Sequence, residues 1–153
     1  MFILKLAAFS IFLIIAVLFF TLYRNDAHLF EEPGLQKRLA TFFTTNVAET
    51  KDDHPFKELR TPVFSSSAGK TYQRVLDAAT ELGWVVDSHD RDNQNATFVV
   101  SSPVFLFKDD VFVQVKFISM DQSSLYIRSS SRKGRGDLAA NSSHVQKLIN
   151  KLR

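Results

Sequence analysis

The chain has 153 residues and a formal net charge of +3, with 45% hydrophobic and 23% charged residues and no cysteine. This length is typical of a single domain, and the lack of cysteine excludes disulfide bonds, thiol catalysis and cysteine-ligated metals. The basic excess is weaker than that of most duplex-binding proteins. We therefore expect no nucleic-acid partner.

The N-terminal segment is apolar, and no charged residue occurs between Leu6 and Leu22. About 20 helical residues, each rising 1.5 Å, cross a hydrocarbon layer of roughly 30 Å. We therefore predict a membrane anchor in residues 1–23, with residues 2–23 as the segment that contacts the membrane. The alternative is a cleaved signal peptide, but the run from Val17 to Tyr23 offers no small-residue cleavage site.

The positive charges around this segment are nearly balanced, with Lys5 before it and Arg24 after it. Charge asymmetry therefore sets the orientation only weakly. We expect a single-pass protein of the cell envelope, with its domain on the outer, periplasmic side of the inner membrane.

Residues 24–60 are predicted to connect the anchor to the domain. A short amphipathic helix is expected within residues 30–43, because apolar residues recur there at helical spacing after Pro33 and Gly34. The stretch from Thr44 to Arg60 is polar and charged, which is typical of a linker or loop.

Residues 61–153 predict an α+β domain. Ser65-Ser66-Ser67 supplies an N-cap for a helix that is expected to run to about Leu82 and to end at Gly83, and a second helix begins near Asp137. Alternating apolar residues predict the strands, which are Trp84–Asp87, Ala96–Ser101, Asp109–Ile118 and Leu125–Ser131, with a short edge strand before them at Thr61–Phe64. The expected architecture is a two-layer sandwich of a roughly four-stranded antiparallel meander sheet and two helices. In the longest strand, we expect the face that ends in Phe117 to be buried.

Two motifs mark the corner between the last strand pair and the last helix. The first is Phe107-Lys108-Asp109-Asp110-Val111, and the second runs from Ser129 to Asn141. Together they resemble the bacterial and plastid family known as domain of unknown function 1499, over about residues 61–152. The resemblance implies an envelope or membrane-associated protein without an established activity. Many members of that family have Asp-Leu-Gly-Ala-Asn where this chain has Ala139 in place of the glycine.

The candidate binding site comprises eight residues of this corner: Lys108, Asp109, Asp110, Arg128, Arg132, Arg135, Asp137 and Asn141. Cations beside Gly134 and Gly136 at a helix N-terminus favour an anion, such as a phosphate, a lipid head group or a carboxylate. The alternative is a structural network, in which Asp137 caps the helix and Arg132 pairs with Asp109 or Asp110.

Catalysis is not expected, and the sequence indicates no catalytic residue, metal site or cofactor. Asp109 and Asp110 are successive strand residues whose side chains point to opposite faces, so they cannot act as an acid–base pair on one substrate. An enzyme that combines either carboxylate with Arg132 stays as an alternative. The four histidines lack metal-ligand spacing, and we expect His144 to be half-exposed on the last helix.

The sequence therefore predicts a membrane-anchored, non-enzymatic domain. Its expected partner is a protein or an anionic lipid bound at the charged corner. A second role consistent with the sequence is assembly, in which a free edge of the sheet pairs with a strand of another protein.

Overall fold

The computed structural model describes residues 1–102 and 104–153. This part of the chain contains four α-helices, six β-strands and a 3-10 turn at Lys57–Leu59. The helices are α1 (Phe2–Arg24), α2 (Leu35–Thr44), α3 (Ala68–Glu81) and α4 (Ala140–Leu152). The strands are β1 (Val47–Glu49), β2 (Val63–Phe64), β3 (Val85–Asp90), β4 (Asn95–Ser101), β5 (Lys108–Ser119) and β6 (Gln122–Ser131).

Helix α1 covers the predicted apolar segment and is long and apolar enough to cross a membrane, as a signal sequence also is. Nearly all its side chains are exposed, and only Thr21 and Leu22 in its last turn are buried by the rest of the protein. The helix therefore projects away from the domain and contacts it at one end.

The sheet is antiparallel, with the order β1-β6-β5-β4-β3, and β2 also pairs with β6. Strands β1 and β2 share one side of β6, at Ser129 and Ser124 respectively, while β5 occupies the other side. At the opposite edge, β3 pairs with β4 alone among the described residues. Strand β3 has a register shift after Val86 and two aspartates, features that hinder pairing of an edge strand with another chain.

The two helices α3 and α4 pack side by side against one face of β5 and β6, so the predicted two-layer α+β architecture is confirmed. Long alternating strands such as β5 bury every second residue, here Val111, Val113 and Val115. The expectation for Phe117 is wrong, because its side chain is 66% exposed. The register shift after Phe117 lies next to the hairpin turn, and the last residues of β5 from Lys116 onward are exposed.

Residues 44–60, which we expected to be a linker or loop, contain regular structure. The expectation is therefore wrong for β1 and for the 3-10 turn. Strand β1 pairs with β6, and the backbone N–H of Thr50 continues the pairing by donating to Ile127 O at 2.9 Å. Phe56 and Leu59 are buried in the same core as the strands. The helix predicted within residues 30–43 is confirmed as α2, which buries Phe42.

A buried ion pair ties this region together. The Arg38 side chain is fully buried, and its guanidinium donates to both carboxylate oxygens of Glu58 at 2.6 and 3.1 Å. It also donates to the carbonyls of Ala27, Glu31 and Glu32. One side chain thereby connects α2, the 3-10 turn and the segment that follows α1.

Helix α2 also contacts the turn between β6 and α4. The backbone N–H groups of Asp137 and Leu138 donate to Phe42 O at 3.2 and 3.0 Å. A Cβ atom at Gly136 would clash with the backbone of Phe42 and Phe43. Glycine is therefore required at position 136 by the close approach of two backbones.

Candidate binding site at the corner of the sheet

The eight predicted site residues do not converge in one pocket. Because side chains alternate along β5, Asp109 points to the helix-covered face, whereas Lys108 and Asp110 point to the other face. Asp137 and Asn141 lie with Asp109 on the inner side, while Arg128 and Arg132 lie with Asp110 on the outer side. Arg135 is exposed in the turn after β6, and the other seven residues form two separate sets of polar groups.

The outer set is a partly exposed network. Arg132 forms a two-pronged ion pair with Asp110, with Nη2 2.6 Å and Nε 3.0 Å from Oδ1. This confirms the pairing with Asp110, one of the two partners anticipated for Arg132. Arg128 donates to Ser130 Oγ at 3.3 Å and Lys108 to Ser101 Oγ at 2.9 Å. Exposed pairs of this kind add little stability.

The inner set caps helix α4. Asp137 Oδ1 accepts from the N–H of Ala139 at 2.9 Å, and Oδ2 accepts from the N–H and Nδ2 of Asn141 at 3.1 and 2.7 Å. The predicted capping role of Asp137 is confirmed. Burial raises the pKa of Asp137, and the charge of nearby Asp109 adds to the increase, while the hydrogen bonds from Asn141 and Ala139 partly offset it.

Asn141 is fully buried and connects the cap to the sheet. Its Nδ2 also donates to Asn46 O and Ser131 Oγ, each at 2.9 Å, and its Oδ1 accepts from Ser129 Oγ at 2.6 Å. The same amide therefore bonds to the helix cap, to β6 and to the residue before β1.

Asp109 pairs with His144 inside the domain. The side chains are 1% and 2% exposed, and His144 Nε2 lies 3.0 Å from Asp109 Oδ2. The expectation that His144 is half-exposed is wrong, because α4 is surrounded by α3, β1, β6 and the segment after α1 and is buried on almost every side. His144 lies three residues after Asn141 and four before Leu148, and this spacing puts the three side chains on one face of the helix. The pattern therefore indicated that His144 faces inward.

A cavity of about 160 Å³ opens beside Asp109, between the end of α1, residues 104–107 and the turn after β6. We call it the junction cavity. Asp109 Oδ1 and Asn25 Oδ1 are both buried and accept no hydrogen bond from the described residues. Sequence reasoning missed Asn25, which follows the apolar segment and has no local partner. The residues that line the junction cavity include Thr21, Asn25, Val104, Phe105, Phe107, Asp109, Lys133, Asp137 and Leu138.

An apolar loop forms one rim of this cavity. Leu106 at its tip is 70% exposed, and the rings of Phe105 and Phe107 stack with centroids 5.7 Å apart. Leu106 and Phe107 also line a neighbouring depression with Lys108, Arg132 and Lys133. An exposed apolar tip is thus bordered by three cations.

Of the two carboxylates that the alternative enzyme would combine with Arg132, only Asp110 contacts it. Arg132 and Asp110 pair on the outer face, while Asp109 pairs with His144 on the inner face. Among residues 1–102 and 104–153, no three acidic or histidine side chains are placed to hold a metal ion. The structure places an exposed ion pair on the outer face and a buried pair beside a cavity.

These features define a small α+β domain, built on one open antiparallel sheet and continuous with an apolar N-terminal helix. The chain belongs to the family described as protein of unknown function (DUF1499), whose model matches residues 35–152. The match starts at the first residue of α2 and so includes β1, beyond the region in which the sequence motifs suggested the resemblance. No curated protein matches the sequence of this chain.

Proposed function

We propose that the protein is a single-pass membrane protein whose domain binds anionic lipid head groups at the membrane surface. The lipid-contact surface consists of Phe105, Leu106, Phe107, Lys108, Arg132 and Lys133. The observation that supports the proposal is the position of this surface next to the end of α1. Phe105 and Phe107 line the same cavity as Thr21 and Asn25 at the end of α1, so the apolar loop lies where the predicted span leaves the membrane.

An uncleaved anchor is supported by the contacts at the end of α1. Leu22 and Ala27 belong to the hydrophobic core, and Asn25 Nδ2 donates to Leu138 O at 2.8 Å. His28 Nε2 lies 2.9 Å from Gln146 Oε1 on α4. Cleavage after the apolar run would remove Leu22 from the core. A segment that completes the domain in this way is better suited to an anchor than to a removable signal.

The composition of the surface suits an interface between lipid and water. Burying one exposed Leu or Phe side chain contributes about 1.5–3 kcal/mol, and cations are attracted to anionic head groups at close range. Because α1 already holds the domain at the membrane, the contact carries no further cost of bringing two molecules together. Our proposal places the domain on the periplasmic side of the membrane.

The test uses the absence of native cysteine. Full-length Leu106→Cys, labelled with a fluorophore, is reconstituted in nanodiscs that contain lipids brominated near the head group. The matched control is Met120→Cys, because Met120 is 86% exposed and lies at the opposite end of the β5–β6 hairpin. We expect strong quenching at position 106, increasing with the anionic lipid fraction, and little quenching at position 120.

A charge variant separates lipid contact from simple proximity. Lys133→Glu is expected to lower the quenching of the label at position 106 in anionic nanodiscs, whereas Lys70→Glu, an exposed change on α3, is expected to leave it unchanged. Equal quenching at positions 106 and 120, or the same quenching in neutral and anionic discs, would overturn the proposal.

A further inference from the structure

We infer that the junction cavity is a binding site for a primary ammonium group, carried by a small alkylamine or by an aminophospholipid head group. The inference is distinct from the proposed contact with anionic lipids, because its acceptors lie on the inner face of the corner, although Phe105, Phe107 and Lys133 border both the cavity and the lipid-contact surface. The acceptors are Asp109 and Asn25.

Two buried oxygens provide the first step. Asp109 and Asn25 are each 1% exposed and line the cavity, and the Oδ1 atom of each accepts no hydrogen bond from the described residues. The Asn25 amide cannot simply be turned over, because its Nδ2 donates to Leu138 O. Unpaired acceptors inside a protein are unfavourable, so the cavity favours a ligand that donates hydrogen bonds.

The charge of the cavity provides the second step. Asp109 and Asp137 both line it, and Lys133 is the single basic residue among the described lining residues. Lys133 is exposed and belongs to the outer rim. His144 engages Asp109 through Oδ2, the oxygen opposite the unpaired one. The acidic side chains of Asp109 and Asp137 therefore favour a group that donates hydrogen bonds, and a cation over an anion.

The size and walls of the cavity provide the third step. A volume of about 160 Å³ exceeds that of a single water molecule or bare metal ion, and Val104, Phe105, Phe107 and Leu138 form apolar walls. Aromatic faces attract organic cations. The ammonium group has three donors, enough for both Asp109 Oδ1 and Asn25 Oδ1, whereas the oxygens of Asp137 already accept three hydrogen bonds.

The position of the cavity allows two sources for the same chemistry. Thr21 and Asn25 place it at the end of the predicted span, within reach of lipid head groups. A soluble amine can enter from the aqueous side. The shared feature is an unsubstituted ammonium attached to a short apolar chain.

The experiment uses the full-length protein in phosphatidylcholine nanodiscs and calorimetric titration with n-butylammonium, tetramethylammonium, butyrate and Mg²⁺. Trp84 is the single tryptophan of the chain, and its ring centroid is 6.1 Å from that of His144, so its emission gives a second readout. We expect n-butylammonium to bind at least tenfold more tightly than tetramethylammonium, which lacks N–H donors, and than butyrate and Mg²⁺.

Matched variants locate the site. Asp109→Asn is expected to weaken n-butylammonium binding at least tenfold, while Asp110→Asn, next to it on the outer face, leaves binding unchanged. If Asp109→Asn does not fold, Val104→Phe narrows the cavity without altering a charge and is expected to weaken binding to a similar degree.

The lipid composition identifies the source of the ammonium group. If phosphatidylethanolamine in the disc competes with n-butylammonium, the site takes a lipid head group; if it does not, the site takes a soluble amine. The inference is overturned if no probe binds saturably, if butyrate or Mg²⁺ binds as tightly as n-butylammonium, or if Val104→Phe leaves amine binding unchanged. None of these results depends on quenching at position 106, so the two proposals fail separately.

Discussion

Replacing Asn141 by alanine tests whether one buried amide stabilises the whole corner. The side chain of Asn141 makes four hydrogen bonds: to Asp137, to Ser131, to Ser129 and to the backbone carbonyl of Asn46. Alanine removes all four and leaves the fully buried Ser129 hydroxyl without its acceptor. Asp137 Oδ2 also loses one of its two donors.

The expected loss is set by the partners left behind. A buried polar group deprived of its partner costs about 1–3 kcal/mol, and a partly exposed group costs less. With Ser129 buried and the other partners less so, we expect Asn141→Ala to lower the free energy of unfolding by about 2–4 kcal/mol. The matched control is Asn150→Ala, because Asn150 is exposed on the same helix and its loss should change stability by less than about 0.5 kcal/mol.

The measurement is urea denaturation of the full-length protein in nanodiscs, followed by the emission of Trp84 and by far-ultraviolet circular dichroism. The midpoint of Asn141→Ala should lie well below that of the wild type, with a similar slope. If Asn141→Ala and Asn150→Ala have the same midpoint, the amide does not stabilise the corner and the reasoning is refuted.

Three further predictions follow from the same contacts. Arg38→Met should lower the free energy of unfolding by about 3–5 kcal/mol, because it leaves Glu58 without its buried partner; exposed Lys37→Met, measured in the same denaturant series, should have almost no effect. Burial raises the pKa of Asp137, so its ionised form is disfavoured in the folded state. As the pH falls through that raised pKa towards the ordinary value of 3.8, the wild type should therefore gain stability relative to Asp137→Asn. Thermal denaturation of both proteins across this pH range checks the sign, and a constant difference would contradict it. Finally, the intact mass of protein purified from membranes should include residues 2–24; a mass that lacks them would show that α1 is a cleaved signal.

The elements that sequence analysis predicted well carry long periodic patterns. Strands β4, β5 and β6 alternate over seven residues or more, and α3 and α4 repeat their apolar positions over at least three turns. Strand β1 has only three residues, too few to show a period. It is a strand because β6 offers it hydrogen-bonding partners, and a pairing between residues 47 and 130 has no local signature.

At the candidate site, too, local contacts could be predicted from the sequence and distant contacts could not. The capping role of Asp137 was predicted from its residue type at the start of the last helix, and its bonds to Ala139 and Asn141 are local. The pair of Asp109 with His144 joins residues 35 positions apart, and Asn25 meets Leu138 across 113 positions, so neither contact has a sequence signal.

Ala139, just before α4, has a backbone conformation that is unusual for alanine. Its φ of 69° lies in the left-handed region, where glycine is favoured. The resemblance described above implies glycine at this position in many family members. This chain holds the left-handed conformation with alanine, directly after Leu138, whose φ is also positive at 50°.

The direct connection between α1 and the core also determines how the domain can move. A domain on a long flexible linker samples many orientations above a membrane, but here Leu22, Asn25 and Ala27 are part of the folded unit. If α1 spans a membrane as we propose, a change in its tilt, such as one caused by a thicker or thinner bilayer, is transmitted to the domain as a rigid rotation. Strand β5 has twelve residues and spans about 40 Å at 3.3 Å per residue. A rotation about the end of β5 near the cavity therefore displaces its other end the most. A tilt of about 10° would move the turn at Met120 sideways by about 7 Å, which couples bilayer thickness to the position of a surface far from the lipid.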